Sequence, residues 1–244
     1  MNESFILNTV FAHRGYHDEK YPENSIPAFK KALRYKYNIE LDVHLTKDEK
    51  IVVFHDFSLK RMCGIDKKIE DLTYKQIIKY NLLNTKYKIP LLDEVLDLVS
   101  GKVTLLIETK TKMHDGRLEE KLSELLDKYN GKFAIQSFSP FSIYWFKKNR
   151  PNYLRGLLSS DFKKFKINSL KKIIARTLIS DIILKTNFIS FDVRALPNSY
   201  VERKRKYKPI IGWTIKDKKQ YKEYKKCCDN FICENMNEYI KDQK

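Results

Sequence analysis

Two carboxylates and an imidazole alternate in Glu40-Leu41-Asp42-Val43-His44. Strand side chains point to opposite faces in turn, so on a strand Glu40, Asp42 and His44 share one face and Ile39, Leu41, Val43 and Leu45 the other. Burial accounts for the apolar face. Two acids side by side repel and raise one pKa unless a cation lies between them, and an oxygen-only ligand set favours Mg2+, Ca2+ or Mn2+ over zinc. Taken alone, the pair is equally compatible with solvation at a strand end or pairing to a lysine. Glu108 and Lys110 repeat the spacing in Leu105-Leu106-Ile107-Glu108-Thr109-Lys110. Glu108 would be a third metal oxygen and Lys110 a cation for an anionic substrate, or the two form a plain ion pair.

His13-Arg14-Gly15 adds an imidazole, a fork-shaped guanidinium suited to phosphate, and a glycine that lets the backbone come close. His55 joins through a hairpin: with the turn at Asp48 and Glu49 it falls opposite residue 41 or 42, although a histidine before an aspartate also serves structural ends. All five histidines (His13, His17, His44, His55 and His114) lie in the first half of the chain, at or just beyond predicted strand ends, a distribution core packing does not require.

The elements that must position these groups alternate β and α almost from end to end, which predicts a parallel sheet built of βα units. Strands are expected at Thr9–Arg14, Asn38–Leu45, Val103–Thr109, Phe133–Phe138, Leu154–Leu158, Phe188–Asp192, Ile210–Thr214 and Asn230–Glu234. Helices are expected at Ile26–Tyr37, Leu91–Ser100, Arg117–Tyr129, Phe141–Asn149, Leu170–Leu184, Ser199–Lys206 and Lys218–Lys226. The run Ile51–His55 follows the preceding strand too closely for a parallel crossover and must return antiparallel. The region 46–90 is then a hairpin-plus-helix insertion, with a helical piece near Tyr74–Tyr80. Eight strands in 244 residues fit one (β/α)8 TIM barrel spanning 1–244, whose catalytic face is the C-terminal end of its strands.

With 42% hydrophobic residues the chain can bury a core, which excludes a mainly disordered protein. Few Gly and Pro leave little linker material. There is no long uncharged apolar run and no secretory start, and the four cysteines form no C-x-x-C pair, so a cytoplasmic protein with free thiols is expected. The 48 basic and 31 acidic residues leave +17, but the lysines are spread along the chain and no nucleic-acid module is recognisable. The Arg203–Lys206 cluster reads as a solvated helix end.

The set of motifs resembles the glycerophosphodiester phosphodiesterase family. The matching pieces are His13-Arg14-Gly15, Pro22-Glu23-Asn24-Ser25, Glu40-Leu41-Asp42-Val43, Thr46-Lys47-Asp48, Val53-Phe54-His55-Asp56, Ile89-Pro90-Leu91-Leu92-Asp93-Glu94-Val95-Leu96, Ile107-Glu108-Thr109-Lys110, Gln136-Ser137-Phe138 and Trp213-Thr214, in order over nearly the whole chain. The resemblance implies a TIM barrel with one divalent cation, Mg2+ or Ca2+, on Glu40, Asp42 and Glu108. It implies catalytic histidines at His13 and His55, a phosphate held by Arg14 and Lys110, and Trp213 on the glycerol or leaving-group side. A compact substrate pocket is expected near Trp213, Phe138 and the 56–90 insertion.

The implied reaction converts a small glycerophosphodiester to glycerol 3-phosphate and an alcohol. One departure lies at the last strand, where Cys233-Glu234 replaces the family's usual Thr-Asp, which bears on rim geometry or substrate choice. Two readings compete: a lysophospholipase D-type enzyme at lipid surfaces, and a non-catalytic polyanion-binding barrel. No amphipathic stretch with bulky aromatics on one face is evident, so neither stable membrane insertion nor stimulation by anionic vesicles is expected. No nucleic-acid partner is expected, and the sequence leaves the oligomeric state open.

Overall fold

The computed structural model describes residues 3–112, 114–162 and 168–236, and its contacts divide into two compact units. The first, Phe11–Phe133, holds β1 (Phe11–Ala12), α1 (Ile26–Arg34), β2 (Asn38–Leu45), β3 (Ile51–Val53), α2 (Lys60–Cys63), α3 (Tyr74–Ile77), α4 (Leu92–Val99), β4 (Leu105–Thr109) and α5 (Arg117–Leu126). β2 is its axis. It runs parallel to β1, with Ala12 opposite Ile39, and parallel to β4, with Asp42 opposite Glu108. That register sets the two carboxylates side by side on one face, as their period of two requires.

β3 returns antiparallel, pairing Val43 with Val53 and Leu45 with Ile51, and Phe54 N–H extends the ladder to Asp42 O at 2.9 Å. His55 therefore falls in line with residue 41, as the hairpin argument expects. β1 is shorter than the expected Thr9–Arg14. Arg14 at φ 54° and Gly15 at φ 80° turn the chain out of the strand as soon as His13 is passed. A side chain at Gly15 would also meet the Phe29 ring at 2.9 Å. α1 starts where Ser25 caps it, its hydroxyl accepting from Ala28 N–H, with a proline in the first turn where no donor is missed.

The region 46–90 builds a small apolar cluster of its own from Val52, Phe54, Leu59, Met62, Ile69 and Ile77 among others. It contains α3, where a helical piece is expected. It also contains α2, closed by Gly64 in the left-handed conformation, a second short helix beyond the one expected.

The second unit joins the chain from Ala134 onward with the segment before Phe11. Its elements are β5 (Phe133–Ser137), α6 (Pro140–Asn149), β6 (Arg155–Ser159), α7 (Ser169–Thr177), α8 (Asp181–Leu184), β7 (Phe188–Asp192), α9 (Ser199–Arg205), β8 (Ile210–Ile215), α10 (Lys218–Tyr224) and β9 (Asn230–Cys233). β5 to β9 pair in sequence order, all parallel. Asn230 donates its side-chain amide to Ile6 O at 2.6 Å and Thr9 O at 2.9 Å, fastening the N-terminal segment to β9.

The single helix expected over Leu170–Leu184 is two helices. Leu178 breaks it in the left-handed region at φ 55° and is fully buried. Asp181 turns inward as well, to the ammonium groups of Lys204 at 2.6 Å and Lys208 at 2.9 Å. A buried leucine and a buried ion pair on successive turns outweigh helical continuity.

The strand order closes on itself as eight parallel strands with helices between them, the (β/α)8 barrel expected, with β3 antiparallel beside β2. No helix among the described residues is long and apolar enough to cross a membrane.

Candidate active site

Glu40 and Asp42 from β2 and Glu108 from β4 offer oxygens that all lie within 4.8 Å of one another, and all three side chains are buried. Burial, with Asp42 and Glu108 beside it, pushes the Glu40 carboxyl well above the usual range. Burial and Asp42 raise Glu108 to about 7, against the pull of Lys110. Asp42 goes the other way: although burial raises it, Lys110, His55 and Arg14 with the Asn24 amide hold it well below the usual carboxylate range. Lys110 donates from Nζ to Glu108 Oε1 and lies 3.1 Å from Asp42 Oδ1. Asn24 donates from Nδ2 to Asp42 Oδ2 at 2.9 Å.

Arg14 enters from the end of β1. Its backbone N–H donates to Glu40 Oε2 at 3.0 Å, which seats the His13-Arg14 corner on the carboxylates. Its Nε stands 3.5 Å from Asp42 Oδ2, and its Nη1 donates to Glu23 Oε1 at 2.8 Å. The positive φ that this corner demands is a costly conformation for arginine, held here by Asn24 N–H donating to Arg14 O at 2.9 Å.

His55 follows β3, half-buried. Its Nδ1 lies 2.6 Å from Asp56 Oδ1. Although burial raises the Asp56 carboxyl, hydrogen bonds from Arg61 and His55 hold it at about 2, so it is ionised and Nδ1–H is the donor. The lone pair is then on Nε2. Burial lowers the imidazole's pKa, with Lys110 and Arg14 adding to that and Asp42 opposing it, so His55 is neutral near neutral pH. From behind, His44 donates Nε2–H to His55 O at 3.1 Å, and burial keeps that ring neutral with a pKa of about 4. His44 thus serves the backbone of His55 and not the carboxylates whose strand face it shares.

Six of the nine expected site residues, Arg14, Glu40, Asp42, His55, Glu108 and Lys110, therefore gather at the strand ends of the first unit, and His13 directly precedes Arg14 at the end of β1. A cavity of about 310 Å³ opens beside Lys110, with His44, Thr46, Phe57, Lys112 and Arg117 in its wall. Phe138 and Trp213 belong to the second unit. Their rings meet edge-to-face at 5.5 Å, and Phe162 packs on Phe138 at 5.9 Å. The Trp213 Nε1–H is buried with no hydrogen-bond partner among the described residues, a donor available to a ligand.

Residues 13–231 match the sequence pattern of the glycerophosphoryl diester phosphodiesterase family. The chain belongs to that family. It is 33% identical over 167 residues to a glycerophosphodiester phosphodiesterase of Bacillus altitudinis, covering 64% of this chain and 68% of that one. A solved glycerophosphodiester phosphodiesterase of Thermotoga maritima, 28% identical, matches at a TM-score of 0.75 over 96% of this chain and 97% of its own. An Oleispira antarctica phosphodiesterase in complex with the product sn-glycerol-3-phosphate is 20% identical and shares the fold, with a TM-score of 0.80 over 98% and 97% of the two chains.

In this glycerophosphoryl diester phosphodiesterase, sequence reasoning missed the residues behind the site. Arg61 of α2 grips Asp56 with Nε and Nη2, at 2.7 and 3.0 Å, and Glu23 with Nη1 and Nη2, at 2.8 and 2.7 Å. Burial raises Glu23, yet Arg61 and Arg14 hold it at about 2. Gly64 marks the end of α2 in the sequence, but nothing local announces a pairing across 38 positions. Glu234, which follows the last strand, lies 3.9 Å from Lys216 at the end of β8.

Proposed function

We propose that this enzyme, a phosphoric diester hydrolase by family, cleaves glycerophosphodiesters to glycerol 3-phosphate and an alcohol, using one divalent cation and the pair His13 and His55. The observation that carries the reading is the trio of buried carboxylates within 4.8 Å, beside Arg14, Lys110 and His55. The trio fits a hard cation. Three buried acids with only oxygen donors are mutually repulsive, and that repulsion is what raises Glu40, after burial, beyond the usual range. Glu40, Asp42 and Glu108 would hold Mg2+ or Ca2+, which when bound supplies Lewis-acid charge to a phosphoryl group.

The chain's own residues do the rest. Arg14 and Lys110 hold the diester's phosphate and offset the charge that grows on it in the transition state. His55 takes the proton of the attacking oxygen on Nε2, because Asp56 fixes its other nitrogen as N–H and stabilises the imidazolium that forms. His13 then protonates the departing alkoxide. The attacking oxygen is water, or the glycerol hydroxyl next to the phosphate, in which case a cyclic phosphate forms as the alcohol leaves and water then opens it to glycerol 3-phosphate. Trp213 and Phe138 are assigned to the organic part of the substrate, which the Oleispira enzyme's sn-glycerol-3-phosphate complex supports as a small molecule. The four free thiols are consistent with a cytoplasmic location.

The test is a kinetic screen of chelated enzyme, with Mg2+, Ca2+ or Mn2+ restored, on glycerophosphocholine, glycerophosphoethanolamine, glycerophosphoglycerol and lysophosphatidylcholine, following glycerol 3-phosphate. A higher kcat/KM on a small diester is expected, with no turnover before metal is restored. Preference for the lysophospholipid would replace this reading with the lysophospholipase D-type one.

A further inference from the structure

A helix packed on a sheet ordinarily turns its apolar stripe inward, and α7 turns its own outward. Leu170, Ile173 and Ile174 share one face at helical spacing, and Leu170 and Ile173 are 63% and 58% exposed. The pattern continues past the break: Ile179 is 54% exposed, and Ile182 and Ile183 of α8 are 66% and 64% exposed. What anchors the segment is the set Leu178, Asp181 and Leu184, all buried. Six large aliphatic side chains thus stand in water along two consecutive helices. Exposed apolar side chains concentrated in one segment in this way mark an interaction surface.

The segment itself is basic: from residue 168 to 185 the sequence carries Lys171, Lys172, Arg176 and Lys185 against one acid, Asp181. That acid is buried and already paired with Lys204 and Lys208. α8 touches α6, where Lys147 donates to Ile183 O at 2.5 Å and Tyr144 is half-exposed. α7 touches α9, which ends in Arg203-Lys204-Arg205. Exposed aliphatic residues in a Lys- and Arg-rich segment, with an exposed tyrosine on the neighbouring helix, are the composition of a helix that lies in a lipid headgroup layer.

We propose that the α7–α8 face docks this enzyme on an anionic lipid surface, with the aliphatic side chains in the acyl boundary and Lys172, Arg176 and Lys185 against the phosphates. A second copy of the chain is the poorer occupant, because a symmetric self-contact sets two basic segments against each other. Earlier in the chain, Phe162 just past the C-terminal end of β6 packs on Phe138, which meets Trp213. The sequence hides this face because its apolar positions have the same period as a buried helix; only exposure tells them apart. The contact is peripheral, a few side chains deep, and does not depend on which diester is cleaved.

The test is co-sedimentation of the full chain with vesicles of phosphatidylcholine alone or mixed with phosphatidylglycerol, at low and high salt. Wild type is expected to bind the anionic vesicles and to release them in part at high salt. K172Q/R176Q should bind about fivefold more weakly for each charge removed. Because a chain of +17 is drawn to any anionic surface, the deciding variant is I182S/I183S, which alters no charge and no buried residue. It should lose most of the binding, while K128Q/K132Q, equal in charge change, should keep it. Failure of wild type to sediment, or equal binding by I182S/I183S, overturns the proposal. So does a wild-type dimer by light scattering that the two serines dissolve, which would assign the face to a second copy.

Discussion

Arg61 holds Asp56 through two nitrogens at 2.7 and 3.0 Å, and Asp56 in turn lies 2.6 Å from Nδ1 of His55. The same guanidinium grips Glu23, the carboxylate that takes Nη1 of Arg14. One side chain on a four-residue helix therefore sets the orientation of both a candidate base and a candidate phosphate ligand.

Replacing Arg61 should accordingly impair turnover without removing any group that meets the substrate. Arg61→Ala is expected to lower kcat/KM about 10- to 100-fold, the usual cost of losing a group that orients a site residue. Arg61→Lys should recover only part, since an ammonium cannot make two forked contacts. Steady-state kinetics with an unchanged near-ultraviolet dichroism spectrum would check this. Wild-type kinetics in Arg61→Ala would show that the network is not needed for catalysis.

The two histidines predict a different signature. His13→Ala and His55→Ala should each lower kcat by about 10²- to 10⁴-fold while KM changes little, because proton transfer is made in the transition state and not on binding. A His13→Ala enzyme with wild-type kcat would require the acid to be assigned elsewhere.

Metal binding should appear as stability. Cation bound only by the folded chain adds about 2.7 kcal/mol at a hundred times its Kd, which corresponds to roughly 5 to 10 °C in Tm for a chain of this size. Differential scanning calorimetry of chelated protein, with and without Mg2+ or Ca2+, should show that rise. In Glu108→Gln the rise should be smaller at equal metal, because one ligand oxygen no longer carries charge. An equal rise would remove Glu108 from the ligand set.

Acid stability should depend on Asp181. Burial raises its carboxyl, but the hydrogen bonds from Lys204, Thr186 and Lys208 prevail and hold it below its ordinary value. A folded-state pKa below the unfolded one means that the stabilisation is fully present above the unfolded pKa of about 3.9 and is lost as pH falls through the folded value. Urea unfolding between about pH 5 and pH 2 should therefore show a steeper loss for wild type than for Asp181→Asn. Parallel curves would place the acid sensitivity in other carboxylates.

The local code of the chain determined the elements and most of the site. Alternation along Asn38–Leu45 fixes which side chains share the face with Glu40, and the short connection Thr46–Lys50 forces the hairpin that brings His55 back to residue 41. These are consequences of period and reach, which a sequence carries explicitly. Tertiary structure decided what has no period. The pairing of Arg61 with Glu23 joins positions 38 residues apart. His44, which shares the strand face of Glu40 and Asp42, is claimed instead by the carbonyl of His55. The helix expected over Leu170–Leu184 breaks because Leu178 and Asp181 are drawn inward, and its remaining aliphatic positions are left in water. Whether an apolar stripe is covered depends on what packs against it, and that is a property of the assembled chain.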